Sequence, residues 1–249
     1  MQRPSTYSDY ERLDGAVPVV YPPRLEDRAR GLRDILQAGS RELSSALNVE
    51  PPVLQALLIA DRDWREAPRD NERPYPPGLP YFTRSALPPA LVLPERLSPA
   101  FEPRTDATLP LTVWHELAHA FLLQKGMVRV PAWLGEFVPQ TAAAMLAHKI
   151  GVSLDEHLSR AKLGPDLDVR AFGGPLDAGR QMEYQNALLA LGNAAIGEFG
   201  EEFPGKLVWK LWDEEDIVNE RRAEELLTDA LGDGGREWLA KRPEFRERI

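Results

Sequence analysis

The sequence predicts an α+β fold, a small N-terminal sheet with helices followed by a mostly helical half. Two observations carry this. Short runs of strand type occur only before residue 109, and beyond it nearly every segment repeats its apolar residues at helical spacing. With 43% apolar residues in 249, the chain has enough material for a packed core.

Residues 1–15 are polar, and they are expected to be a flexible segment ahead of the domain. The run "AVPVVYPP" (16–23) predicts a short strand, ended by prolines that cannot donate to a ladder. From 25 to 47, apolar residues at Leu25, Ala29, Leu32, Ile35, Leu36, Leu43 and Leu47 follow a 3.6-residue period and predict a helix. Gly39-Ser40 marks a point where it could be interrupted. "VLQALLIAD" (53–61) is continuously apolar between a Pro-Pro pair and a charged cluster, which suits a strand buried on both faces. The stretch 62–89, rich in Pro, Arg and Asp, reads as a long loop or irregular edge, and "ALVLPERL" (90–97) as one more strand stopped at Pro94. Helical spacing then covers 111–125, 131–150, 152–161, 180–199, 203–213, 218–231 and 236–241.

Composition narrows the function. A formal net charge of −9 argues against nucleic acid, whose affinity comes from clustered Lys and Arg displacing counterions. Without cysteine there is no disulfide framework and no thiolate metal site, so a transition metal would have to be held by His, Asp and Glu. No secretory signal is legible, and no apolar run reaches the roughly 18 residues of a membrane span. The expectation is a soluble cytoplasmic protein.

Two of the four histidines stand in "WHELAHAF" (114–121). On a helix, His115 and His119 lie four apart on one face and can aim at one ion, while Glu116 is turned about 100° round the axis. Glu116 therefore borders the ion without binding it, placed to take a proton from water. Two ligands do not close such a site, which takes three protein groups. Glu136, on the next predicted helix after a turn at Lys125-Gly126, is the candidate for the third. His148 lies about 18 Å further along that helix and is not expected to ligate. His157, among charges in "SLDEHLSR", is expected to be solvated.

The pair of motifs resembles the gluzincin branch of zinc metallopeptidases, the peptidase MA-like group, in which HExxH is followed by a helix carrying W-L-x-E. Here that second motif reads Trp133-Leu134-Gly135-Glu136, preceded by Pro131. The resemblance implies a single zincin-like domain over 16–249, its mixed part 16–108 and its helical part 109–249. It implies one Zn2+ on His115, His119 and Glu136, Glu116 as general base, and a peptide or protein substrate. Tyr184, on a downstream helix, becomes the candidate for stabilising the oxyanion. It also implies an edge strand along which the peptide is laid, with "GLPYFT" (78–83) or "ALVLP" (90–94) as the options.

The chain departs from the pattern at Phe137, Pro139 and Gln140. Pro139 removes a backbone donor and should kink the helix, and Gln140 stands where an acidic residue is common. The leading expectation is a zinc-dependent endopeptidase. The alternative is a weak or inactive gluzincin-like pseudoenzyme that grips a peptide or partner. A third is a metal-free interaction domain using the acidic helical tail 209–247, although such charge runs are usually solvated faces.

Overall fold

The computed structural model describes residues 7, 9–70, 76–99, 105–126, 129–173 and 178–245. It is an α+β fold with a five-stranded sheet in the first part and helices after it. The strands are β1 (Glu11–Leu13), β2 (Val19–Tyr21), β3 (Gln55–Ile59), β4 (Tyr81–Thr83) and β5 (Ala90–Pro94). Their order across the sheet is β1-β2-β3-β5-β4. The three inner strands run parallel, and each outer strand is antiparallel to its neighbour.

Both faces of the sheet are covered, which is why β3 and β5 read as continuous apolar runs. Ala56, Leu58, Leu91 and Leu93 point into the main core with the helices, and Leu57, Ile59, Ala90 and Val92 into a smaller one. Alternate residues of one strand thus serve two cores, as the period of two requires. The smaller core is closed by Tyr7, Tyr10, Trp64 and Tyr81. Tyr10 accepts from the Ala60 amide and donates to Asp63, so the chain before β2 is anchored. The expected flexible segment therefore does not extend through residues 7 and 9–15; residues 1–6 and 8 lie outside the described part.

The helix α1 (Glu26–Leu47) runs without interruption through Gly39-Ser40 and ends at Asn48 in the left-handed conformation. Gly39 serves close packing instead: a Cβ there would stand 2.5 Å from Trp114 Cδ1. Trp114 belongs to α2 (Thr108–Leu122), and its indole donates to the Ile35 carbonyl at 3.1 Å. Then follow α3 (Ala132–Ile150), the short α4 (Asp155–Ser159), α5 (Ala178–Phe199), α6 (Phe203–Trp212), α7 (Glu220–Leu231) and α8 (Gly235–Lys241). Of the expected helix over 152–161, only α4 is helical.

Aromatic side chains lock the helices around α2. Trp114, Phe121, Trp133 and Phe137 are 2% exposed or less. Burying roughly 150–250 Å² each, at about 25 cal/mol per Å², contributes about 4–6 kcal/mol apiece before chain entropy. Two indoles of α6 also satisfy helix ends: Trp209 donates to the last carbonyl of α1, Leu47, and Trp212 to that of α2, Leu122. Lys125 lies over both rings, at 3.7 and 4.6 Å from their centres. Among the described residues, no helix is long and apolar enough to cross a membrane.

Candidate metal centre

The middle of α2 is buried on nearly every side, with α1, α3 and the edge of the sheet packed round it. His115 and Glu116 are each 8% exposed. His115 and His119, one turn apart, bring their Nε2 atoms to 3.2 Å, with the rings at 84° to each other. Glu136, from the second turn of α3, places Oε2 3.2 Å from His115 Nε2 and Oε1 3.7 Å from His119 Nε2. Three candidate ligand atoms, one from each residue, lie within 4.8 Å of one another.

These spacings can be tested against an ion. Ligand atoms about 2.0–2.1 Å from a tetrahedral centre stand about 3.3 Å apart. The imidazole pair and the pair His115 Nε2–Glu136 Oε2 have that separation, while His119 Nε2 stands 3.7 Å from the other carboxylate oxygen, Oε1. Two neutral nitrogens and one carboxylate oxygen also form a donor set suited to zinc, cobalt, manganese or iron. The residues present fit a divalent transition metal.

Glu116 stands beside the three candidate ligands, its Oε1 4.0 Å from His115 Nε2, and the amide of Phe82 in β4 is hydrogen-bonded to it. Burial pushes its pKa up, opposed in part by the two imidazoles. Burial also acts to raise Glu136, but the positive field of His119 and hydrogen bonds from both imidazoles hold that carboxyl well below the usual range. His119 is the complement: burial would lower it, and the Glu136 charge raises it overall. Two carboxylates a few ångströms apart are thus biased in opposite directions, Glu136 toward the anion that a ligand must be and Glu116 toward proton uptake.

The group lies in a cleft of about 340 Å³. The floor is α2, one wall is β4 with Leu79 and Pro80, and the other is α5 through Gln181, Met182, Gln185, Asn186 and Leu189. The two candidate edge strands now separate. "ALVLP" is β5, fully buried between β3 and β4, whereas "GLPYFT" contains β4, the last strand of the sheet. Part of the expected long loop is therefore an ordered wall. Its far end is pinned by Asp70, which accepts from the Thr83 and Ser85 hydroxyls and from the amides of Arg84 and Ser85.

Tyr184 does not join the site. Its ring is 3% exposed and packs on Phe172 and beneath Arg180, and it does not line the cleft. Residues 181, 185 and 189 face the cleft; Tyr184 is turned about 100° from Gln185, on the side opposite Met182 and Asn186. His157, expected to be solvated, is 7% exposed and lines the far end of the cleft, with Nε2 3.4 Å from Thr108 Oγ1. His148 is exposed and pairs with Asn193, outside the site as expected. Pro139 lies within α3 without ending it, and Glu136, three residues earlier, faces the imidazoles.

What the sequence concealed is the support of Glu136. Gln185 Nε2 donates to Glu136 Oε2 at 2.8 Å, and Gln140 Nε2 donates to Gln185 Oε1 at 2.5 Å. The sequence signal was a pair of glutamines four apart, 181 and 185, among other polar residues in the first half of α5. Nothing local says which helix they face. The chain matches no known protein-family model and no curated protein, so the functional argument rests on this geometry and its chemistry.

Proposed function

We propose that this protein is a zinc-dependent hydrolase of peptide bonds, with His115, His119 and Glu136 holding the ion and Glu116 acting as general base. The observation that supports it best is the convergence of the three candidate ligands on one point with a fourth, proton-accepting carboxylate beside them, inside a cleft walled by an edge strand. When bound, a divalent ion supplies Lewis-acid polarisation of a carbonyl and acidifies water. The chain's own groups do the rest. Glu116, whose protonated form burial favours, takes a proton from the attacking water and returns it to the leaving amine. The wall formed by Leu79–Phe82 belongs to the last strand of the sheet, along which an extended peptide can lie; its carbonyls would be the partners, since Pro80 has no amide proton and that of Phe82 is bonded to Glu116.

One observation favours a second reading, a cleft that grips a peptide without cutting it. Tyr184, the expected oxyanion donor, faces away from the cleft, and losing one such donor typically costs about 10²–10³ in rate. Metal analysis of wild type and Glu136→Ala, followed by digestion of a mixed peptide library by wild type, chelated wild type and Glu116→Gln, separates the two. A hydrolase cuts only as metal-loaded wild type. Binding of one zinc without any cutting supports the second reading, and equal cutting by Glu116→Gln refutes the assignment of the base.

A further inference from the structure

On the premise that the His115–His119–Glu136 cluster holds zinc, we propose that Gln185 is a positioning residue for the third ligand, and that Gln140 sets the polarity of the Gln185 amide. The chemistry fixes the direction of the relay. An ionised carboxylate can only accept, so the atom facing Glu136 Oε2 at 2.8 Å must be the amide nitrogen of Gln185. Its oxygen then faces Gln140, which must donate, and does so at 2.5 Å. An acidic residue at 140 could not fill that place, because it would offer an acceptor where a donor is needed.

The relay matters because other support is thin. The Nδ1 atom of His115 is buried and has no hydrogen-bond partner among the described residues, so no described side chain or carbonyl orients that imidazole from behind. The rotation of the Glu136 carboxylate about its stem is held by Gln185 instead. The two helices are set for this by a close approach at Gly192 of α5 and Thr141 of α3, where a Cβ on Gly192 would lie 2.4 Å from Thr141 Oγ1. Gln185 lies two turns before that contact and Glu136 just over one turn before it, so a tight crossing keeps them in register.

The test is the zinc dissociation constant, measured by competition with a chromogenic chelator, for wild type, Gln185→Met, Gln140→Glu and the double variant. Thermal melts of the metal-free proteins check that each is folded. Gln185→Met keeps the shape and loses the donor, and should weaken zinc about 10–100-fold. Gln140→Glu is the discriminating arm. As a bystander charge near a cation it would tighten binding, whereas in the relay it turns the Gln185 amide over, sets oxygen against oxygen, and weakens binding about tenfold or more. In the double variant the carboxylate added at position 140 should cause no further loss, since its effect acts only through Gln185. An unchanged Gln185→Met, or tighter binding by Gln140→Glu, overturns the proposal while leaving the metal site intact. A wild type that binds no zinc removes the premise, and that arm is read first.

Discussion

Replacing Gly192 by Ala probes the contact on which the site's geometry depends. The added Cβ would stand 2.4 Å from Thr141 Oγ1, 2.9 Å from Thr141 Cα and 3.0 Å from its Cβ. Carbon contacts are comfortable only from about 3.5 Å, so the helices must separate by roughly half an ångström to one. Rotating the Thr141 side chain cannot relieve it, because two of the three atoms are fixed to the backbone and the hydroxyl is held by the Phe137 carbonyl at 2.7 Å. Overpacking of this kind costs about 1–3 kcal/mol, and contact with backbone argues for the upper end. Against it stands the gain of replacing a mid-helix glycine by alanine, about 1 kcal/mol. The net expectation is a loss of about 1–2 kcal/mol. At roughly 2–4 °C per kcal/mol, Tm falls by about 2–8 °C in calorimetry of the metal-free protein. Zinc binding should weaken as well, because separation of α3 from α5 lengthens the Gln185–Glu136 bond first. Thr141→Ala in the same background removes the hydroxyl clash and should recover part of the loss. If Gly192→Ala proves as stable as wild type or more so, helix propensity has won and the crossing is not tight.

Zinc at a hundred times its dissociation constant should stabilise the wild type by about 2.7 kcal/mol in calorimetry, and Glu136→Ala should lose that shift; an equal shift in both excludes Glu136 as a ligand. Trp212→Phe removes the indole that bonds the Leu122 carbonyl at 2.8 Å, and should cost about 1 kcal/mol in urea unfolding; no loss would mean that water replaces it freely. For Asp70, partial desolvation raises the pKa, but the hydrogen bonds it accepts from Ser85, Thr83 and Arg84 outweigh this and leave it below the ordinary value. A carboxyl depressed by folding contributes stability above its unfolded pKa, near 3.9, and loses it as pH falls through its folded value. Asp70→Asn should therefore destabilise at pH 7 and do so less at pH 3; the same penalty at both would refute the role given to its charge.

The sequence by itself determined the residues whose effects are local. Helical spacing fixed that His115 and His119 share a face and that Glu116 lies off it, because 3.6 residues per turn leaves no other arrangement. The alternation of apolar runs with Pro and Gly located β2, β3, β5 and most of the helices, since a run buried on both sides of a sheet must be apolar throughout. A three-residue strand such as β4 carries too few positions to show a period, and so it was hidden in a Pro-rich stretch. Only the tertiary structure decided which side chains meet across elements. Gln185 and Tyr184 are neighbours on one helix, and only the tyrosine was expected at the site; a turn of about 100° gives the site to the glutamine and the core to the tyrosine. His157 reads as solvated from its charged neighbours, yet it is buried, with Nε2 3.4 Å from the hydroxyl of Thr108, forty-nine positions earlier. Periodicity states that a residue has a face; what that face meets is set by the packing of helices distant in sequence, where a missing Cβ at Gly192 weighs as much as any charged group.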